Sequence, residues 1–226
     1  MYKKSNYTLL ILLIAFSIYC ALVVGETWDE RSELLRGKIT LDYFFSLGKI
    51  DKQIWFREFN SPIYYTFLYL LTTIFPSQYQ IESSHLINLI FSLGAIFGIR
   101  ALGKELFNEK VGNIAFVILF FYPIFFGHMA FNSKDTIIAF CHVWIVYLLF
   151  KYLKNQNIKE KIKNYIIFIA ILTAIATGIK LVFLGSLIPV FLFMLAEIFY
   201  FKKIINKNFI KKKLFYDSLK CILISY

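Results

Sequence analysis

Asp29 and Glu30 stand directly after the first long apolar run of the chain, at the head of a long polar loop. Neighbouring carboxylates at the lip of a greasy helical bundle suit a base that takes a proton from a hydroxyl, or oxygens that help to hold a divalent metal. They suit a structural role equally well. Thr27-Trp28-Asp29-Glu30 has the form of a capping box, with Thr27 as N-cap and Glu30 reaching back to it. A second polar cluster, Phe126-Gly127-His128-Met129-Ala130-Phe131-Asn132-Ser133-Lys134-Asp135, interrupts two apolar runs. Asp135 opens the following helix, which Asn132 or Ser133 is placed to cap. An ionisable residue so close to hydrocarbon also points to function. Lys180 breaks an apolar stretch that otherwise runs from Ile166 to Ala196. It either snorkels to the headgroups or presents a point charge to a lipid phosphate. His85 and His142 lie within helical runs and read as packed or hydrogen-bonded, whereas His128 belongs to the polar cluster. No two histidines have metal-ligand spacing.

The elements that must position these residues are membrane helices. The chain is 59% hydrophobic, 19% aromatic and 17% charged, with a net charge of +11. Its mean hydropathy is +0.65. The lysines gather in patches between apolar runs, the pattern by which membrane proteins set their orientation. No nucleic-acid reading module accompanies the charge, so nucleic acid is excluded as a partner. Cys20, Cys141 and Cys221 all sit in apolar stretches and read as small hydrophobes. Lys3 and Lys4 precede an apolar run, Leu9–Val24, that is longer than a signal-peptide core, so it reads as an uncleaved first membrane helix.

Apolar runs fall at 7–25, 62–75, 84–102, 111–131, 136–150, 164–179 and 181–201, and another begins after Lys213. They predict an all-α fold: one polytopic bundle over 1–226, with about six to seven transmembrane helices and interfacial or re-entrant helices in the loop 26–83. Lys3 and Lys4 place the N-terminus inside. Run 62–75 is short and bounded by Pro62 and Pro76. If it does not cross, the basic patches at 100–110, 151–163 and 202–213 all fall inside, as the positive-inside rule prefers. The loop then lies outside together with the turn at His128–Asp135 and the break at Gly178–Lys180. Within the loop, a short helix from Trp28 to about Arg36 places Asp29 and Glu33 four apart on one face, and Leu41–Leu47 suits a helix at the headgroups. The chain stops at Tyr226 inside an apolar run, which predicts the N-terminal part of a longer protein.

The order of these features resembles a family. The first helix is followed by a loop opening in Asp-Glu, then Ser61-Pro62-Ile63-Tyr64-Tyr65. A helix ending in Leu102-Gly103-Lys104-Glu105-Leu106-Phe107 comes next, then Tyr122-Pro123, then a polar cluster closing on Lys134-Asp135. This is similar to the N-terminal part of membrane glycosyltransferases of the C-type (GT-C) fold, in the group of protein O-mannosyltransferases and bacterial aminoarabinose transferases. The resemblance implies inverting transfer of a sugar from a polyprenyl-phosphate donor to a hydroxyl or amine acceptor at the outer face of the cytoplasmic membrane. It implies Asp29 as catalytic base with Glu30 beside it, Asp135 completing the site, and Lys180 steadying the departing phosphate. His128 and Lys134 are the candidates for an arginine that some members carry. Phe59-Asn60-Ser61 stands where the family often has a basic residue or histidine. A divalent metal is left open, with Asp29 and Asp135 as the carboxylates that would bind it. The oligomeric state is also open. A polytopic transporter and an inactive membrane fragment are the other readings, although the charges gather at helix ends and no internal repeat is present, unlike the usual transporter pattern.

Overall fold

The structure is a computed structural model that describes residues 2–49, 63–155, 158–197 and 200. The basic patch 202–213, Cys221, the run after Lys213 and the Phe59–Pro62 positions of the expected motif lie outside the described residues. Every regular element among the described residues is helical. The helices are α1 Tyr2–Val23, α2 Glu30–Phe45, α3 Ile63–Thr72, α4 Gln80–Leu106, α5 Glu109–Phe120, α6 Pro123–His128, α7 Asp135–Lys154, α8 Lys159–Ile179, α9 Phe183–Ser186 and α10 Ile188–Ala196. Among the described residues, three stretches are long and apolar enough to cross a membrane: Ser77–Leu106, Asp135–Lys154 and Glu160–Ile179. The protein is therefore an integral membrane helical bundle.

Several boundaries differ from the apolar runs, for local reasons. Run 111–131 divides into α5 and α6. Tyr122 precedes a proline and is extended (φ −69°, ψ 114°), while Pro123 opens α6 at a position where its missing N–H is harmless. In the first loop, one helix runs to Phe45 where a break near Arg36 and a separate segment from Leu41 were expected. It ends where Leu47 (φ 53°) and Gly48 (φ 83°) turn left-handed and the Gly48 N–H reaches the Tyr43 carbonyl at 2.9 Å. The described length of α3 is ten residues, about 15 Å, or half the roughly 30 Å of hydrocarbon.

The chain forms two compact units. The first comprises residues 1–94 and 120–137 and contains α1, α2, α3, the first half of α4, and α6. Its tightest seam joins α2 to α3, where a Cβ on Gly37 would lie 2.1 Å from the Tyr65 carbonyl oxygen. Only a glycine admits the α3 backbone at that distance, so Gly37 belongs in the middle of α2 despite its low helix propensity. Phe16 of α1 stacks on Phe126 of α6 at 6.0 Å between ring centroids. The second unit comprises residues 95–119 and 138–226. There α4 and α5 meet at Gly103 and Gly112: a Cβ on Gly112 would lie 2.6 Å from the Arg100 carbonyl oxygen. Tyr152, Leu153, Ile162, Ile166 and Met194 form a core of that unit. Glu105 receives Lys151 at 2.7 Å and Lys154 at 2.8 Å.

Candidate active site

The chemistry-bearing residues of the first unit gather around the start of α2. Glu30 and Glu33 are buried there, although both carry carboxylates. Each is matched by donors from other elements, which is the condition for tolerating a buried charge. Glu30 Oε1 lies 2.5 Å from His85 Nε2 on α4, and Glu30 Oε2 accepts the Thr27 N–H at 2.6 Å. The second contact is the carboxylate half of the expected capping box. The helix itself begins at Glu30 with Asp29 in the N-cap position. His85 Nδ1 faces the Ala21 carbonyl of α1 at 2.9 Å.

Glu33 gathers three donors. The Ser133 hydroxyl donates to Oε2 at 2.5 Å, the Tyr65 hydroxyl donates to Oε1 at 3.1 Å, and Lys134 Nζ stands 3.3 Å from Oε1. One side chain of the first loop thus ties α2 to α3 and to the turn that precedes α7. Lys134 also lies over the Tyr65 ring, 5.6 Å from its centroid. Burial acts to lower the Lys134 ammonium, but its Tyr65 and Glu33 partners outweigh burial and raise it. Burial pushes the Tyr65 phenol up to about 12.

α4 presents the matching polar stripe. His85, Asn88 and Ser92 are fully enclosed at spacings of three and four. His85 meets α1 and α2, Asn88 accepts the Tyr64 hydroxyl of α3, and Ser92 donates to the Met129 carbonyl at 2.8 Å. In a membrane helix such residues bind neighbouring helices because no water competes for them. The spacing 85, 88, 92 within a 27-residue apolar helix was the available sequence signal for this network. Glu33, Tyr65, Ser133 and His85, like Tyr64, Asn88 and Ser92, take part without being site residues in the sequence reading.

The predicted site residues are placed as follows. Asp29 is exposed at the tip of the α1–α2 loop, and Trp28 beside it is 99% exposed, so it does not cover the Asp29 carboxylate. Asp135 is exposed at the first position of α7, where the Asn132 side chain accepts its N–H at 2.9 Å and that of Lys134 at 3.3 Å. Asn132 is therefore the cap and leaves Ser133 to Glu33. His128 ends α6 with its ring 5.2 Å from Phe131 and its Nδ1 enclosed without a hydrogen-bond partner among the described residues. Lys180 belongs to the second unit, exposed just past the C-terminal end of α8 in an extended conformation. Among the described residues, no group of three His, Cys, Asp or Glu side chains is arranged to hold a metal ion.

The arrangement defines a polytopic helical membrane protein with exposed carboxylates on a loop and a turn, the two segments joined through the buried Glu33 side chain. Residues 60–219, 160 of the 226, match the dolichyl-phosphate-mannose-protein mannosyltransferase family. The chain belongs to that family and is a membrane glycosyltransferase of the GT-C type. The match covers His128, Lys134, Asp135 and Lys180, and begins after Asp29 and Glu30. No curated protein and no solved structure matches the chain.

Proposed function

We propose that the protein transfers a sugar from a polyprenyl-phosphate donor to an acceptor hydroxyl, with inversion, at the outer face of the cytoplasmic membrane. The N-terminus is on the cytoplasmic side. One observation supports this above the others: Glu33, one turn after Asp29, is bound to Ser133 and Lys134, the two residues before Asp135. Two exposed carboxylates from distant parts of the sequence are thereby fixed to a common support. Preorganised support of this kind is what a positioned base requires.

Asp29 takes the proton of the acceptor hydroxyl as its oxygen forms a bond to the anomeric carbon. The bond from that carbon to the donor phosphate breaks, and polyprenyl phosphate departs with the electron pair. The exposed carboxylate is free of the partners that immobilise Glu30 and Glu33, so it is the one able to meet an incoming hydroxyl. Asp135 orients donor or acceptor, and Lys134 with His128 supplies positive charge and donors for the phosphate. A phosphate role for Lys180 rests on the sequence alone.

The test is transfer of labelled mannose from dolichyl-phosphate mannose, the donor in the family's description, to a hydroxyl-bearing peptide by protein in lipid nanodiscs. Asp29→Asn should lower turnover about 10²–10⁴-fold, the usual worth of a general base, with unchanged melting. Full activity in that variant refutes the assignment of Asp29. Solute uptake into vesicles without any sugar transfer would favour a transporter.

A further inference from the structure

The α1–α2 connection is gripped at both ends by a single imidazole. His85 Nδ1 holds the Ala21 carbonyl in the last turns of α1, and Nε2 holds Glu30 at the first turn of α2. Glu30 passes the link on to the Thr27 N–H inside the loop, at 2.6 Å. His85 is fully buried and Glu30 nearly so, while Val24, Gly25, Glu26, Trp28 and Asp29 between the grips are exposed. Both ring nitrogens face oxygen acceptors, and a neutral imidazole has only one N–H. A second proton, on Nε2 or shared with Glu30, completes the two contacts.

We propose that His85 and Glu30 form a clamp that fixes the loop carrying Asp29, which makes both of them positioning residues for the reaction above. The inference rests on that reading of Asp29. Glu30 has its two oxygens committed to His85 and to Thr27, so its neighbour Asp29 is left to face the acceptor. The first turn of α2 holds the Asp29 backbone as well: its carbonyl accepts the Glu33 N–H at 2.9 Å and the Ser32 hydroxyl at 2.8 Å, so what the clamp adds is the position of that turn and loop against α4. Losing the clamp would let the loop drift relative to α4, and displacement of a catalytic group by about 1 Å can lower turnover about 10²-fold.

Glutamine at position 30 separates positioning from chemistry. Its amide N–H donates to a neutral His85 Nε2, its carbonyl accepts the Thr27 N–H, and His85 Nδ1–H keeps the Ala21 carbonyl. The clamp survives with no carboxylate present. Glu30→Gln should therefore retain turnover within about threefold of wild type, whereas Glu30→Ala and His85→Ala should lose about 10²-fold in kcat with little change in KM for the donor. Amide hydrogen exchange gives a readout independent of activity: Thr27 should stay protected in wild type and Glu30→Gln, and exchange faster in the two alanine variants. Glu30→Ala opens the clamp from the loop side and serves alone if His85→Ala does not accumulate. The proposal is overturned if Glu30→Gln is as inactive as Asp29→Asn, or if Glu30→Ala leaves Thr27 exchange and turnover at wild-type values. A wild-type protein without transferase activity would remove the functional reading, while Thr27 exchange would still decide the clamp.

Discussion

Replacing Glu33 by alanine removes the acceptor shared by Ser133, Tyr65 and Lys134, and the size of the effect can be worked from their surroundings. Ser133 and Tyr65 are both buried, and each hydroxyl would lose the carboxylate partner on which it now converges. An unsatisfied buried group costs about 1–3 kcal/mol, so the pair accounts for most of the effect. Lys134 adds little, because its side chain is 28% exposed and its ammonium can turn to water or headgroups. The expected loss is about 4 kcal/mol, which for a chain of this size is about 8–16 °C in melting temperature. Glu33→Gln keeps the volume and one acceptor oxygen, so it should lose only about 1–2 kcal/mol. The assay is thermal unfolding in detergent micelles followed by tryptophan fluorescence, with Ser133→Ala and the double variant completing a cycle. A coupling of at least about 1 kcal/mol is expected between the two positions. If Glu33→Ala melts within about 2 °C of wild type, or the two substitutions are additive, Glu33 does not join the first loop to the turn before α7.

Gly37→Ala would press a methyl group to 2.1 Å from the Tyr65 carbonyl oxygen, so α2 and α3 must separate. A melting loss equivalent to about 1–3 kcal/mol is expected, and an unchanged melting curve would contradict the seam. Glu105→Ala should do much less, under about 1 kcal/mol for each ion pair, since Lys154 is 56% exposed and Lys151 25%; a large drop in melting temperature would count against that reasoning. The pH dependence has a definite sign. Tyr65 is raised from 10.0 to about 12 and Lys134 is raised as well, so their stabilising contributions are complete below the unfolded values and disappear as pH rises through the folded ones. Melting temperature should fall between about pH 10 and 12, and Tyr65→Phe should flatten part of that fall. An equally steep fall in Tyr65→Phe would place the titration elsewhere.

Helical class, membrane residence and family were all legible in the sequence, because they depend on composition and on the order of apolar runs, which need no knowledge of which helices touch. The reach of Glu30 back to Thr27 was legible for the same reason: its partners are three residues apart, and so was the Asn132 cap on α7. The extent of α2 was not, since Gly37 reads as a helix breaker until α3 is found against it. His85 reads from sequence as packed or hydrogen-bonded, and it is both, but a single sequence could not show that its partners are Ala21 and Glu30, on either side of its ring. Glu33 is separated from Ser133 by 100 positions, and its burial is tolerable only because Tyr65 and Lys134 arrive with it. Local spacing and hydropathy determine which segments become helices and where they cap. Which carboxylates are withdrawn among partners and which stay exposed depends on donors brought from remote helices, and only the tertiary structure decides that.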